Sequence, residues 1–151
     1  MKNKFLLLIL SSILLSSCSD IYRKFEKVED MKWYKSDAKK FSVDIKENGN
    51  YDLIFAFRYA TMYPYKSIKV LFTKKTPDSE EFTKDAEFIV VDENNKYLGE
   101  PGGDIWDLEN PFAENEFMEK GIYEFTIENN MNADPVIVVM EIGLIVRKSK
   151  K

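Results

Sequence analysis

Few residues in this chain could do chemistry. Its single cysteine, Cys18, follows Ser16 and Ser17 at the end of an apolar run, Phe5 to Leu15, broken only by Ser11 and Ser12. A lone thiol can form neither an internal disulfide nor a thiolate metal cage. Histidine is absent, which removes the commonest general base and transition-metal ligand. Three carboxylates, Asp104, Asp107 and Glu109, fall in a glycine-rich stretch. They could offer oxygens to calcium, although their spacing is not that of an EF-hand, or flank a glycosidic bond as a pair. Trp106, Tyr97, Tyr63 and Tyr65 could form an aromatic platform that stacks on sugar rings or meets another protein. Arg58 reads either as an exposed strand charge or as the ion-pair partner of an acid such as Asp52. With no histidine, no thiol left free and no Gly-x-Ser-x-Gly elbow, the expected class is non-enzymatic, with no metal or other cofactor.

Cys18 draws its chemistry from the segment before it. Lys2 and Lys4 give a basic start, a brief apolar helix follows, and small residues precede the thiol. That is the layout of a secretory signal. Roughly 11 apolar residues reach only about 16 Å as a helix, short of a bilayer core of about 30 Å, so a permanent span is not expected. Leu15-Ser16-Ser17-Cys18 resembles the bacterial lipobox. In such signals the thiol receives a diacylglycerol and the chain is cut just before it. The expected division is therefore an export signal at 1–17, a lipid-anchored tether at 18–32, a folded domain at 33–148 and a basic tail at 149–151. Ser19, rather than an acid, follows the cysteine. By resemblance to the sorting rule of enteric bacteria, that favours the outer over the inner membrane.

The folded part has to position whatever the remaining residues do. The full chain is 44% hydrophobic and 14% aromatic, enough for a packed core. Loss of Lys2 and Lys4 with the signal takes the formal charge from −4 to −6. A mildly acidic domain is a poor match for nucleic acid or for anionic lipid. Phe41, Val43 and Ile45 alternate with polar neighbours, and Glu47-Asn48-Gly49-Asn50 closes that run as a turn. Tyr51, Leu53, Phe55, Phe57 and Tyr59 form a second period-2 set, whose other face (Asp52, Ile54, Ala56, Arg58) is half apolar. Further strands are expected at Ile68 to Phe72, Phe88 to Val91 and Tyr123 to Ile127. Val136 to Val146 is apolar almost all round. Its β-branched content favours one long central strand, bent at Gly143, over a helix. Residues 96–120 hold three of the six glycines and two of the five prolines, and read as a long loop. The expected fold class is all-β, a β-sandwich or jelly-roll-like domain.

Several short pieces, in order, carry a family resemblance. They are Tyr51-Asp52-Leu53 leading to Arg58, Tyr63-Pro64-Tyr65, Gly99, Gly102-Gly103-Asp104-Ile105, Lys120 to Phe125, Asn130-Met131 and Glu141-Ile142-Gly143-Leu144. Together with the lipobox they make the chain resemble the gliding-motility lipoprotein GldH family of Bacteroidetes, over Trp33 to Arg147. The resemblance implies a cell-envelope lipoprotein needed for gliding over surfaces and linked to the associated protein-secretion machinery. Its partners would be the membrane, through the lipid on Cys18, and other envelope or gliding proteins. It carries over no catalytic residues. A carbohydrate-binding envelope lipoprotein is the alternative, with glycan as partner.

Overall fold

The computed structural model describes residues 20–150. The expected export signal and Cys18 lie outside the described residues. Eleven strands follow in chain order: β1 (Asp20–Lys27), β2 (Lys32–Trp33), β3 (Lys39–Ile45), β4 (Gly49–Ala60), β5 (Ser67–Lys75), β6 (Glu81–Ile89), β7 (Glu100–Gly102), β8 (Ile105–Met118), β9 (Gly121–Asn129), β10 (Val136–Ile137) and β11 (Val139–Lys148). One 3-10 turn, Glu29–Met31, joins β1 to β2, and the described residues hold no α-helix.

Two antiparallel sheets form the sandwich. The first has the order β1-β11-β4-β8-β7 and the second β3-β9-β5-β6, while β10 and β2 make a small separate pair. Period-2 patterning places the core between them. Along β3 the inward residues Phe41, Val43 and Ile45 are buried and the outward Lys40, Ser42 and Asp44 exposed. Along β4 the buried inward set is Tyr51, Leu53, Phe55, Phe57 and Tyr59. Aromatic rings bridge the sheets: Phe72 of β5 stacks on Phe112 of β8 at 3.9 Å, and Phe55 of β4 on Phe88 of β6 at 4.9 Å. These offset contacts add to the burial of each ring. The sandwich expected from the alternation is therefore the fold.

Three expectations are corrected. Of the expected tether 18–32, Asp20 to Lys27 is not a spacer but an edge strand paired with β11 from Asp20↔Arg147 to Lys27↔Glu141. Its end is fastened to the second sheet as well: buried Lys39 donates from Nζ to the Lys27 carbonyl at 2.7 Å and to Asp37 at 2.7 Å. Residues 96–120 are not a long loop. They supply β7 and all of β8, a strand of 14 residues. Pro111 fits there because it falls at a register break between β8 and β4, an irregular position where a missing N–H is tolerated. Finally, Val136 to Val146 is strand rather than helix, but it is interrupted at Val138 (φ 66°) and not at Gly143. The 149–151 tail also begins tied down, since Ser149 donates its N–H to the Asn50 carbonyl at 3.0 Å.

Gly143 serves close approach instead of a bend. It pairs with Phe25, and a Cβ built there would lie 2.7 Å from the Phe25 ring and 2.9 Å from the Lys24 carbonyl oxygen. The absent side chain lets the Phe25 ring lie on the outer face of the first sheet. Gly143→Val should therefore push β1 off β11 and cost about 1–3 kcal/mol, the range for overpacking. Urea unfolding measures the loss, and faster proteolysis within 20–27 would locate it.

Candidate functional site

The candidate residues separate into two regions. The first is the outer face of the first sheet. Register brings Arg58 beside Asp107 on one neighbouring strand and Glu141 on the other. Its guanidinium donates to both Asp107 oxygens, from Nε at 2.7 Å and Nη2 at 3.0 Å, and from Nη1 to Glu141 at 2.7 Å. It also lies over the Phe25 ring, 5.7 Å from the centroid. The bidentate geometry suits arginine and carboxylate. The hydrogen bond with Asp107, foremost, holds the Arg58 pKa above its ordinary value. Arg58 is thus half-buried and paired. Asp52, the partner weighed from sequence, instead accepts from the Asn115 N–H and the Ser149 hydroxyl.

A second arginine cluster lies along the same face. Arg23 donates to Asp20 and to Glu109, each at 2.7 Å. Arg147 approaches Asp20 at 3.0 Å and Glu109 at 3.5 Å, the former an ion contact without a directed hydrogen bond. Between the two clusters sits a small apolar strip, Ile54, Ala56 and Ile145, buried although it faces outward and packed against Phe25. Asp107 and Glu109 are therefore engaged by arginines on a strand, and Asp104 lies in the exposed β7–β8 turn. Among the described residues no group of three or more His, Cys, Asp or Glu side chains is placed to hold a metal ion. Asp107 and Glu109 are thus drawn to different arginines rather than gathered with Asp104.

The second region is the end of the sandwich remote from Asp20. Tyr59, Tyr63, Tyr65, Tyr97 and Trp106 form a chain of rings, with successive centroids 5.3 to 6.0 Å apart. Their planes are inclined at 41° to 69°, so no flat platform results. Tyr63 is 3% exposed and donates to the Ser67 carbonyl, which corrects its expected place on an interaction surface. Tyr59 donates to the Leu98 carbonyl, and Trp106 to the Thr61 hydroxyl. Tyr65 and Trp106 remain half-buried. Among the charged residues exposed at this end, Glu29, Asp30, Lys32 and Lys35, stand four exposed apolar side chains, Met31, Tyr34, Met62 and Ile137, with Met62 76% exposed. Met62 stands at φ 77° in the β4–β5 turn, where its N–H donates to the Tyr97 hydroxyl. Val138, next to Ile137, accepts from the Ala60 N–H. An open concavity of about 460 Å³ between Lys24 of β1 and the second sheet is lined mostly by lysines, hydroxyls, Glu81 and Glu124, with Phe41 and Phe125, unlike the enclosed apolar pockets that hold small molecules.

The profile of the GldH lipoprotein family matches residues 20–146. The chain belongs to the GldH lipoprotein family. As a GldH-family protein it is a membrane-anchored lipoprotein of the cell envelope, linked to gliding motility. No curated protein matches the sequence. Among solved structures, a protein of Sulfurospirillum deleyianum is similar at 12% identity, over 86% of this chain and 99% of that one, with a TM-score of 0.46. The VP2 subviral particle of infectious bursal disease virus is similar at 13% identity, over 93% of this chain and 36% of that one, with a TM-score of 0.35.

Residues that the sequence did not single out complete this GldH-family face: Asp20, Arg23, Phe25, Glu141 and Arg147. One sign was available. A strand whose outward residues include Ile54 and Ala56 needs a cover, and Phe25 supplies it.

Two outcomes follow from the geometry. Asp107→Asn should cost about 0.5–1 kcal/mol, because the pair is partly solvated. Urea unfolding at low and high salt should show that loss shrinking as salt is added. Burial raises the Tyr59 pKa from 10.0 to about 12 and the Tyr63 pKa further. Below pH 10 both phenols are neutral whether folded or unfolded, and their burial contributes fully. Above it only the unfolded chain ionises them, so stability falls as pH rises toward 12. Tyrosinate absorbance should rise in two steps, the buried phenols ionising only as the far-UV β signal is lost.

Proposed function

We infer that this GldH-family protein is a non-enzymatic interaction component of the envelope machinery for gliding and its associated secretion. A diacylglycerol on Cys18 holds it at the membrane, and the outer membrane is the favoured site. The observation that carries the reading is the apolar end formed by Met31, Tyr34, Met62 and Ile137. It lies at the opposite end of the sandwich from Asp20, so a chain tethered through its N-terminus presents it away from the lipid. Exposed apolar side chains set among charges at one end of a domain suit a protein contact, whose apolar centre has a polar rim. Arg58 supports the surface indirectly, by fixing β8, β4 and β11 side by side.

Cys18→Ser should release the protein from the membrane fraction and abolish incorporation of labelled fatty acid. Deletion of the gene should impair both surface spreading and secretion. Met62→Asp combined with Tyr34→Asp should leave folding and membrane association intact and reduce spreading. Normal spreading and secretion in the deletion strain would contradict the reading.

A further inference from the structure

The entry of the chain into the first sheet limits how the domain can sit on a bilayer. Only Ser19 separates Cys18 from Asp20. Two residues, however extended, span at most about 7 Å. Asp20 is level with Arg147, which is level with Asp52 on β4. β4 begins three residues earlier, at Gly49, and three strand residues cover about 10 Å. The turn at Lys46 to Asn48 therefore reaches at least as far toward the membrane as Cys18 can. The connections Thr76 to Glu80 and Glu119 to Lys120 lie at this same end, since Gly49 pairs with Met118, Ile45 with Gly121 and Lys75 with Glu124. A domain fastened so closely has no room to stand clear of the lipid surface.

The same end carries exposed apolar side chains. Ile21 is 44% exposed, Phe117 61% and Ile122 59%. Phe117 is the penultimate residue of β8 and Ile122 the second of β9, so they flank the Glu119–Lys120 connection. Phe117 lies on the outer face of the first sheet and Ile122 on that of the second, while their neighbours Met118 and Tyr123 are buried. Ile21 falls at the register shift of β1, three residues from Cys18. The charges here are of both signs: Lys46, Glu47, Glu119, Lys120 and Lys148, with Lys46 paired to Asp44 and Lys148 to Glu47. Such a rim has no strong attraction for anionic headgroups and suits apolar contact at the boundary between headgroups and acyl chains.

We propose that this end of the sandwich, through Ile21, Phe117 and Ile122, rests on the bilayer that holds the Cys18 lipid, so that the domain has one preferred orientation. The proposal rests on the lipid-anchor reading given above. The occupant is the lipid surface itself, with zwitterionic headgroups sufficient. The orientation directs the Met31, Tyr34, Met62 and Ile137 end outward.

The test uses the acylated mature chain on phosphatidylcholine vesicles with or without brominated acyl chains. With the native thiol acylated, Phe117→Cys, Ile122→Cys or Met62→Cys each supplies a single site for an environment-sensitive fluorophore. Labels at 117 and 122 should be quenched several-fold more by the brominated lipid than the label at 62. Equal quenching at the three sites, with the protein still sedimenting with vesicles, would overturn the proposed orientation and leave the anchor standing. Protein left in the supernatant would overturn the anchor and the orientation together.

Discussion

The pairing of β1 with β11 sets the terms for the rest of the molecule. It turns the eight residues Asp20 to Lys27 into an edge strand of the five-stranded sheet. It places Phe25 on the side-chain-free surface at Gly143, where the ring covers Ile54, Ala56 and Ile145. Phe25 is half-buried, so it contributes less than the about 1.5–3 kcal/mol of a fully buried phenylalanine. The same strand brings Arg23 and Asp20 to Glu109 and Arg147, so the outer face is closed from both sides. Lys39 then fastens the end of β1 to the second sheet through the Lys27 carbonyl. Without this strand the outward apolar strip would face water.

The arginine clusters add specificity more than energy. Arg58 and its two acids are roughly a quarter to two-fifths exposed, and ion pairs so placed contribute on the order of 1 kcal/mol or less. Their geometry is nevertheless demanding. Arg58 meets Asp107 and Glu141 only in the observed register, because a slip by one residue would turn each side chain to the other face. The clusters also commit Asp107 and Glu109, two of the acids that would otherwise be available for chemistry. A covered, ion-paired face leaves the two ends of the sandwich as its exposed apolar features, one nearest the N-terminus and one farthest from it.

Much of this was legible in the sequence where a strand has one wet face and one dry face. Phe41-x-Val43-x-Ile45 alternates cleanly, and the apolar set from Tyr51 to Tyr59 stands out although Ile54 and Ala56 on its other face are apolar too; both are strands with the expected inward residues. β1 was not legible, because an edge strand with arginine and lysine on it, just after a lipobox-like sequence, has the composition of a spacer. β8 was hidden for a related reason: Pro111 and the surrounding glycines signal a loop, yet the strand tolerates proline at its register break. Arg58 left two readings open, an exposed strand charge or the partner of an acid such as Asp52, and its partners are Asp107 and Glu141. Asp52 is near in sequence, whereas Asp107 and Glu141 become neighbours only once three strands align. Tyr63 looked available beside Pro64 and Tyr65, but its ring fills the end of the core.

The most direct measurement of the central pairing is amide hydrogen exchange on the mature, acylated protein, followed residue by residue through 20–27. Slow exchange at the β1 amides bonded to β11, shared with the strands of the same sheet, is the expected result. Exchange across 20–27 at the rate of an unstructured peptide, while β4 and β11 stay protected, would contradict it.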